Sequence, residues 1–128
     1  MSDLVGRQFV AAMAARDERA LRGILAQDVD FRAMTPRETF ESAGVDGVIG
    51  TVFGRWIEPA DTVEGVQAVD IGVPVVDRER VGYRFRVRSE GDPVVYEVEQ
   101  QAYYACRDDQ IVWLRILCSG WRPVPTED

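Results

Sequence analysis

From Arg80 to Trp121 the chain alternates apolar and polar residues with a period of two through three successive segments. That pattern constrains the fold more than any other feature, because it puts apolar and charged side chains on opposite faces of extended chain. In Arg80–Arg88, Tyr83, Phe85 and Val87 alternate with Arg84, Arg86 and Arg88. Ser89-Glu-Gly-Asp-Pro93 is turn chemistry, with Gly91 free to take a positive φ and Pro93 unable to donate to a ladder. Val94–Cys106 then pairs back, setting Arg86 by Glu97, Arg84 by Glu99, and Tyr83, Phe85 and Val87 by Gln100, Val98 and Tyr96. One register satisfies both faces. A polar two-residue turn within Arg107–Gln110 leads to a third strand from Ile111 toward Trp121, placing Tyr104 by Trp113, Ala102 by Arg115 and Gln100 by Leu117. In that register Arg115 shares a face with the aromatic residues.

Upstream, Ser2 or Asp3 is a candidate cap for a helix to about Ala15 that carries Val5, Phe9, Ala12 and Met13 on one stripe. Asp17 caps a short second helix with Leu21, Ile24 and Leu25. Val29–Met34 alternates as a short strand stopped at Thr35-Pro36, and an extended piece follows around Glu38–Glu41. Val45–Ile57 presents Val48, Ile49, Val52, Phe53 and Trp56 on one face and reads as a third helix, ended by Glu58-Pro59. Thr62–Val76 is extended, with a bulge or bend expected near Gly72 and Pro74, and it returns through Asp77–Arg80. That turn sets Asp70 opposite Val87, on the face of Tyr83 and Phe85. A single domain over residues 1–122 with a loose tail at 123–128 accounts for the whole pattern.

Composition excludes several function classes. There is no histidine, so no imidazole ligand, histidine base or Ser/His or Cys/His pair exists. All 15 basic residues are arginine and are outnumbered by 22 acidic ones, a balance that repels nucleic acid. No apolar run approaches the roughly 20 residues of a membrane span, and the N-terminus lacks a secretory pattern, so a cytoplasmic location is expected. Cys106 and Cys118 fall roughly 20 Å apart along the proposed strands, beyond disulfide reach. No cofactor is expected.

Two helices, a short strand, a helix and then four antiparallel strands make an α+β architecture: a cone-shaped barrel with three N-terminal helices packed on a strongly curved, mostly antiparallel sheet. In this the chain resembles the nuclear transport factor 2-like superfamily, and within it the SnoaL-like proteins. The residues that carry the resemblance are Asp28-Val-Asp-Phe-Arg32, Trp56-Ile-Glu-Pro59, Val98–Tyr104 and Trp113–Trp121. It implies a cavity between helices and sheet. It does not imply one chemistry, because the superfamily spans isomerases, cyclases, dehydratases, epoxide hydrolases and non-catalytic proteins. Ala33 and Met34 stand where the isomerases carry their base, and the histidines of the dehydratases and SnoaL cyclases have no counterpart. The epoxide hydrolases set an Arg between carboxylates, which Asp70, Arg115 and Asp30 could echo only in part.

The expected cup is lined by Tyr83, Phe85, Tyr96, Val98, Tyr104, Trp113, Leu117 and Trp121, with Gln100, Asp70 and Arg115 as its polar groups. Arg115 reads either as a ligand anchor or as half of a structural ion pair. Three functions stay open. One is a binding domain for an apolar or aromatic metabolite, with Tyr83, Phe85, Tyr96, Gln100, Tyr104 and Trp113 as contacts. The second is a cofactor-independent enzyme that uses Asp70 or a tyrosine with Arg115. The third is a homodimeric interaction module with a filled interior. A half-apolar outer sheet face, continued by Leu114, Ile116 and Cys118 in this register, points to a homodimer formed sheet to sheet.

Overall fold

The computed structural model describes residues 2 to 125, with side chains described from Leu4 onward. Helix α1 (Ser2–Ala14) buries Val5, Phe9, Val10, Ala12 and Met13, the stripe its sequence spacing predicts. The candidate caps Ser2 and Asp3 lie outside the described side chains. Arg16, at φ 56°, ends the turn, and Asp17 caps α2 (Glu18–Ile24) by accepting from the Ala20 amide at 3.0 Å. Strand β1 (Leu25–Met34) runs into the short β2 (Thr39–Ala43). Helix α3 (Val45–Thr51) continues in a single π turn, Val52–Trp56, closed by the Ile57 amide donating to the Val52 carbonyl at 2.8 Å. The rest is sheet: β3 (Asp61–Ile71), β4 (Glu79–Ser89), β5 (Tyr96–Arg107), β6 (Gln110–Cys118) and the two-residue β7 (Arg122–Pro123).

The seven strands form one sheet in the order β2-β1-β6-β5-β4-β3, with β7 on β5. Every neighbouring pair is antiparallel except β1 and β6, which run parallel. The helices cover one face of this curved sheet and build a single core with it. The β4–β5 register is the predicted one at all five positions, from Arg86–Glu97 to Tyr83–Gln100. Val124 donates to the Val95 carbonyl, so ladder bonding continues into the segment expected to be a loose tail. Among the described residues no helix is long and apolar enough to cross a membrane.

Two registers differ from expectation, each for a local reason. The β5–β6 hairpin closes in the expected two-residue turn, with Asp108 and Asp109 at φ 54° and 63°. Cys106 pairs with Ile111 but Ala105 with Trp113, so Val112 is an extra residue and every later pair shifts by one. Tyr104 therefore faces Leu114, Ala102 faces Ile116, and Tyr103 faces Arg115. The bulge buries Leu114, Ile116 and Cys118 and turns Trp113, Arg115 and Leu117 to the outer face. The β3–β4 connection turns at Val76-Asp77, two residues earlier than expected, with Val76 at φ 56°. One further residue on the β3 side between the Val75–Arg78 bridge and the Ile71–Val81 pair sets Asp70 opposite Gly82, and Val63 takes the place opposite Val87. The extra residue falls within Gly72–Pro74, where the sequence predicts a bulge or bend; the regular ladder of β3 ends at Ile71, and it is irregular again near Gly65 and Gln67.

Candidate functional site

The floor of the cone is filled. Tyr83, Phe85, Gln100 and Tyr104 all point inward, as expected, but each is at most 3% exposed. Phe9 of α1 lies edge-on to Tyr83 with centroids 6.3 Å apart, and Phe85 sits 5.2 Å from the same ring. The Tyr83 hydroxyl donates to Gln100 Oε1 at 2.8 Å. Burial, with the neighbouring Cys118 adding, raises the Tyr83 phenol well above its ordinary pKa, so it stays a neutral donor. Helix α1 comes close enough here that a Cβ at Gly6 would stand 2.5 Å from the Tyr104 hydroxyl oxygen.

Two residues away along the same strands, the cone opens. Clefts of about 220 and 730 Å³ share Arg55, Trp56, Tyr96 and Trp121 as walls. The smaller reaches down to Val87, Asp61 and Ser89; the larger extends to Phe40, Glu38, Arg37 and Arg122. Trp56 reaches the mouth from the π turn, edge-on to Phe40 at 5.8 Å and Phe31 at 6.5 Å. Trp121 reaches it because Gly120, at φ 88° and packed against Pro36, turns the chain back after β6. Tyr96, predicted as a ligand contact, lines both clefts.

The polar groups of the mouth differ in what holds them. Asp61 accepts from the Glu58 amide at 2.8 Å and from the Ser89 hydroxyl at 2.6 Å, while Arg16 grips the Asp61 and Pro59 carbonyls at 2.7 and 3.2 Å. This carboxylate ties the α3–β3 loop to the sheet. Glu38 pairs with Arg55 at 2.5 Å, and Arg55 also lies 5.3 Å over the Phe40 ring. Trp56 is only 6% exposed, yet its Nε1–H is buried without a hydrogen-bond partner among the described residues, a loss of about 1–3 kcal/mol. Arg37 and Arg122 carry no ion pair among the described residues.

Three expected site residues lie outside the cone. Arg115 binds Asp30 at 3.2 Å and the Asp30 and Leu114 carbonyls, and its guanidinium lies 4.5 Å from the centroid of Trp113. Arg78 stacks on the same ring at 3.5 Å. Asp70 is exposed and pairs with Arg80 at 3.5 Å. Asp70 and Arg115 thus have separate partners, and neither faces the aromatic floor. Beside Arg115 a trough of about 430 Å³ runs over β2, β1, β6 and β5, where Met34, Tyr103 and Leu117 are 52, 44 and 60% exposed. Leu117, assigned to the cup from its spacing, belongs to this outer patch. Among the described residues no group of three His, Cys, Asp or Glu converges to hold a metal.

The sequence pattern did not single out Phe40, Asp61 or the mouth arginines, and it read Trp56 as part of a packed helix face. The available signal was an aromatic residue at a helix end, immediately before Ile57-Glu-Pro59. No protein-family model and no curated protein matches the sequence. Solved structures do match the fold. A candidate isomerase from Rhodopseudomonas palustris superposes with a TM-score of 0.71 at 14% identity, covering 89% of this chain and 88% of that one. An epoxide hydrolase of the LEH-like type from M. tuberculosis gives 0.68 at 13%, over 92% and 82%. An NTF2-like protein from Burkholderia xenovorans gives 0.64 at 15%, over 92% and 88%.

Proposed function

We propose that this chain, on its nuclear transport factor 2-like fold, binds a small apolar or aromatic molecule at the mouth of the cone rather than at its floor. The observation that carries the reading is the ring of Phe40, Trp56, Tyr96 and Trp121 around an open cleft, against a floor closed by Tyr83, Phe85 and Tyr104. Such a mouth suits a flat ligand held by stacking and apolar burial. Binding without catalysis is favoured because both mouth carboxylates are engaged, Asp61 by Ser89 and the Glu58 amide, and Glu38 by Arg55. The isomerase and hydrolase chemistries named for the structural neighbours need a carboxylate free to exchange a proton.

The test uses tryptophan fluorescence in a Trp113→Phe background, which leaves Trp56 and Trp121 at the mouth as the only reporters. Planar bicyclic compounds should quench it saturably, and Trp121→Ala should weaken the response at least tenfold. Saturable binding that survives Trp121→Ala and Tyr96→Ala unchanged would put the ligand elsewhere.

A second reading concerns the outer face. Met34, Leu117 and Tyr103 lie on adjacent strands and are flanked by Arg32, Arg115 and Glu41, so the patch is apolar at its centre and carries both charge signs at its rim. Such a surface is complementary to itself across a two-fold axis, and its occupant is a second copy of this chain. Sedimentation should give a dimer that Leu117→Glu converts to a folded monomer; a wild-type monomer at high micromolar concentration overturns it.

A further inference from the structure

Resting on the mouth-binding reading, we propose that the ligand is a cationic amine on a flat apolar body, with its ammonium group in the smaller cleft against Ser89 and the carboxylate of Asp61. The sheet register sets which groups face that space. On β4 the inward row runs through Tyr83, Phe85 and Val87 and ends at Ser89. Asp61 stands directly opposite Ser89, as Val63 does opposite Val87, so both side chains lie on the inner face, one step beyond the packed floor. Tyr96 is opposite Val87, and Pro123 is opposite Tyr96, which puts Trp121 on the same inward row as Pro123. Ser89, Tyr96 and Trp121 are each partly exposed, so a molecule in the cleft can touch them.

The polarity of the cleft follows from one hydrogen bond. A carboxylate only accepts, so the 2.6 Å contact between Ser89 Oγ and Asp61 Oδ1 fixes the serine hydrogen on Asp61 and leaves that hydroxyl oxygen only lone pairs to offer. A ligand group that meets it must donate. The charge follows from the ion pairs. Two charged residues line the smaller cleft: Arg55 is paired with Glu38 at 2.5 Å, while Asp61 makes no ion pair among the described residues. Arg16 holds the Asp61 and Pro59 carbonyls and lines neither cleft, and Arg37 lines only the larger one. A formal charge of −7 adds a field of the same sign. The walls suit a cation too: Trp56, Tyr96 and Trp121 supply three aromatic rings, and Arg55 already lies 5.3 Å over the neighbouring Phe40 ring. The smaller cleft, about 220 Å³, takes the ammonium end, and the larger one that shares its aromatic walls takes the ring system.

Four probes of equal ring size separate the parts: 2-naphthylmethylamine, 2-naphthalenemethanol, 2-naphthoate and 2-methylnaphthalene, titrated into the intact chain by calorimetry at neutral pH. The alcohol keeps a donor for Ser89 and lacks the charge; the naphthoate reverses the charge; the hydrocarbon lacks both. The amine should bind tightest, roughly tenfold over the alcohol at low salt, with the alcohol above the hydrocarbon and the naphthoate last. Raising salt to about 0.5 M should narrow the amine-to-alcohol ratio, a readout on the wild-type fold that depends on no variant. Asp61→Asn should bring that ratio toward one. Naphthoate binding as tightly as the amine, or equal affinity for amine, alcohol and hydrocarbon, overturns the amine assignment and leaves mouth binding intact. An Asp61→Asn chain that stays folded and keeps the wild-type ratio overturns the seat proposed at Asp61. Absence of binding by all four overturns the mouth reading itself.

Discussion

The floor and the mouth of the cone are built from the same strands, yet they differ in almost every physical respect. On β4, Tyr83 and Phe85 are sealed under α1, whereas Val87 and Ser89 reach the open end; on β5, Tyr104 and Gln100 belong to the floor and Tyr96 to the mouth. At the floor every ring has an aromatic or helical neighbour, and the Tyr83 hydroxyl donates to Gln100. At the mouth, among the described residues, the Trp56 indole N–H is buried without a partner and Arg37 makes no ion pair. One antiparallel scaffold thus differs along its strand axis: packing is complete at one end, and at the other an aromatic-walled cleft stays open.

The sharpest way to break this comparison is to open the floor. Phe9→Ala removes a ring with no solvent exposure from against Tyr83 and should destabilise the fold by about 3–5 kcal/mol in urea denaturation. A loss under 1 kcal/mol would mean that the floor is not the stabilising half. Tyr83→Phe is next: it leaves Gln100 Oε1 without its donor and should cost about 1–3 kcal/mol, with Tyr83→Phe/Gln100→Leu recovering part of it. At the mouth the pattern reverses. Trp121→Ala should shift stability by under ~1 kcal/mol while reducing affinity for planar ligands tenfold, about 1.4 kcal/mol of binding free energy.

The smallest expected effect is on alkaline stability. Burial raises the Cys106 thiol from 9.0 to about 11, with Glu79 and Asp109 adding, and burial also raises Tyr83 above its ordinary 10.0. For both groups the unfolded chain gives up its proton first as pH rises, so ν_U falls below ν_N and stability declines. The contribution is complete below about pH 9 and is lost as pH climbs through 11. Thermal melts between pH 8 and 11 should fall, and Cys106→Ala should flatten the earlier part of that fall. An unchanged slope would mean that the thiol is not shielded in the folded state.

Much of this molecule was legible in the residues. The Arg84–Glu99 and Arg86–Glu97 ladder, the inward Tyr83 and Phe85, and the Asp17 cap follow from alternation and local hydrogen bonding, which act over a few residues and leave a direct mark in the sequence. The candidate site was less legible. The spacing puts Arg115 inward on the correct two-residue turn, but the extra residue Val112 reverses the facing of everything beyond it. Asp70 faces out because Gly72–Pro74 places one residue more on the β3 side than β4 has between Val81 and Arg78, a bulge the sequence itself predicts near Gly72 and Pro74; the earlier turn at Val76-Asp77 alone would have left Asp70 on the inner face.

By itself, then, the sequence determined the α+β class, the order of the elements, the central strand register and the absence of imidazole chemistry, all of which rest on periodicity, capping and composition. Only the tertiary structure decided that the cup is filled at its floor and open at its mouth, that Arg115 and Trp113 face outward, and that Trp56, Tyr96 and Trp121 meet around one cleft. Those outcomes depend on a single bulge and on how closely α1 and the π turn approach the sheet. The balance between burying one set of side chains and another is settled across the whole core, and no local stretch of residues encodes it.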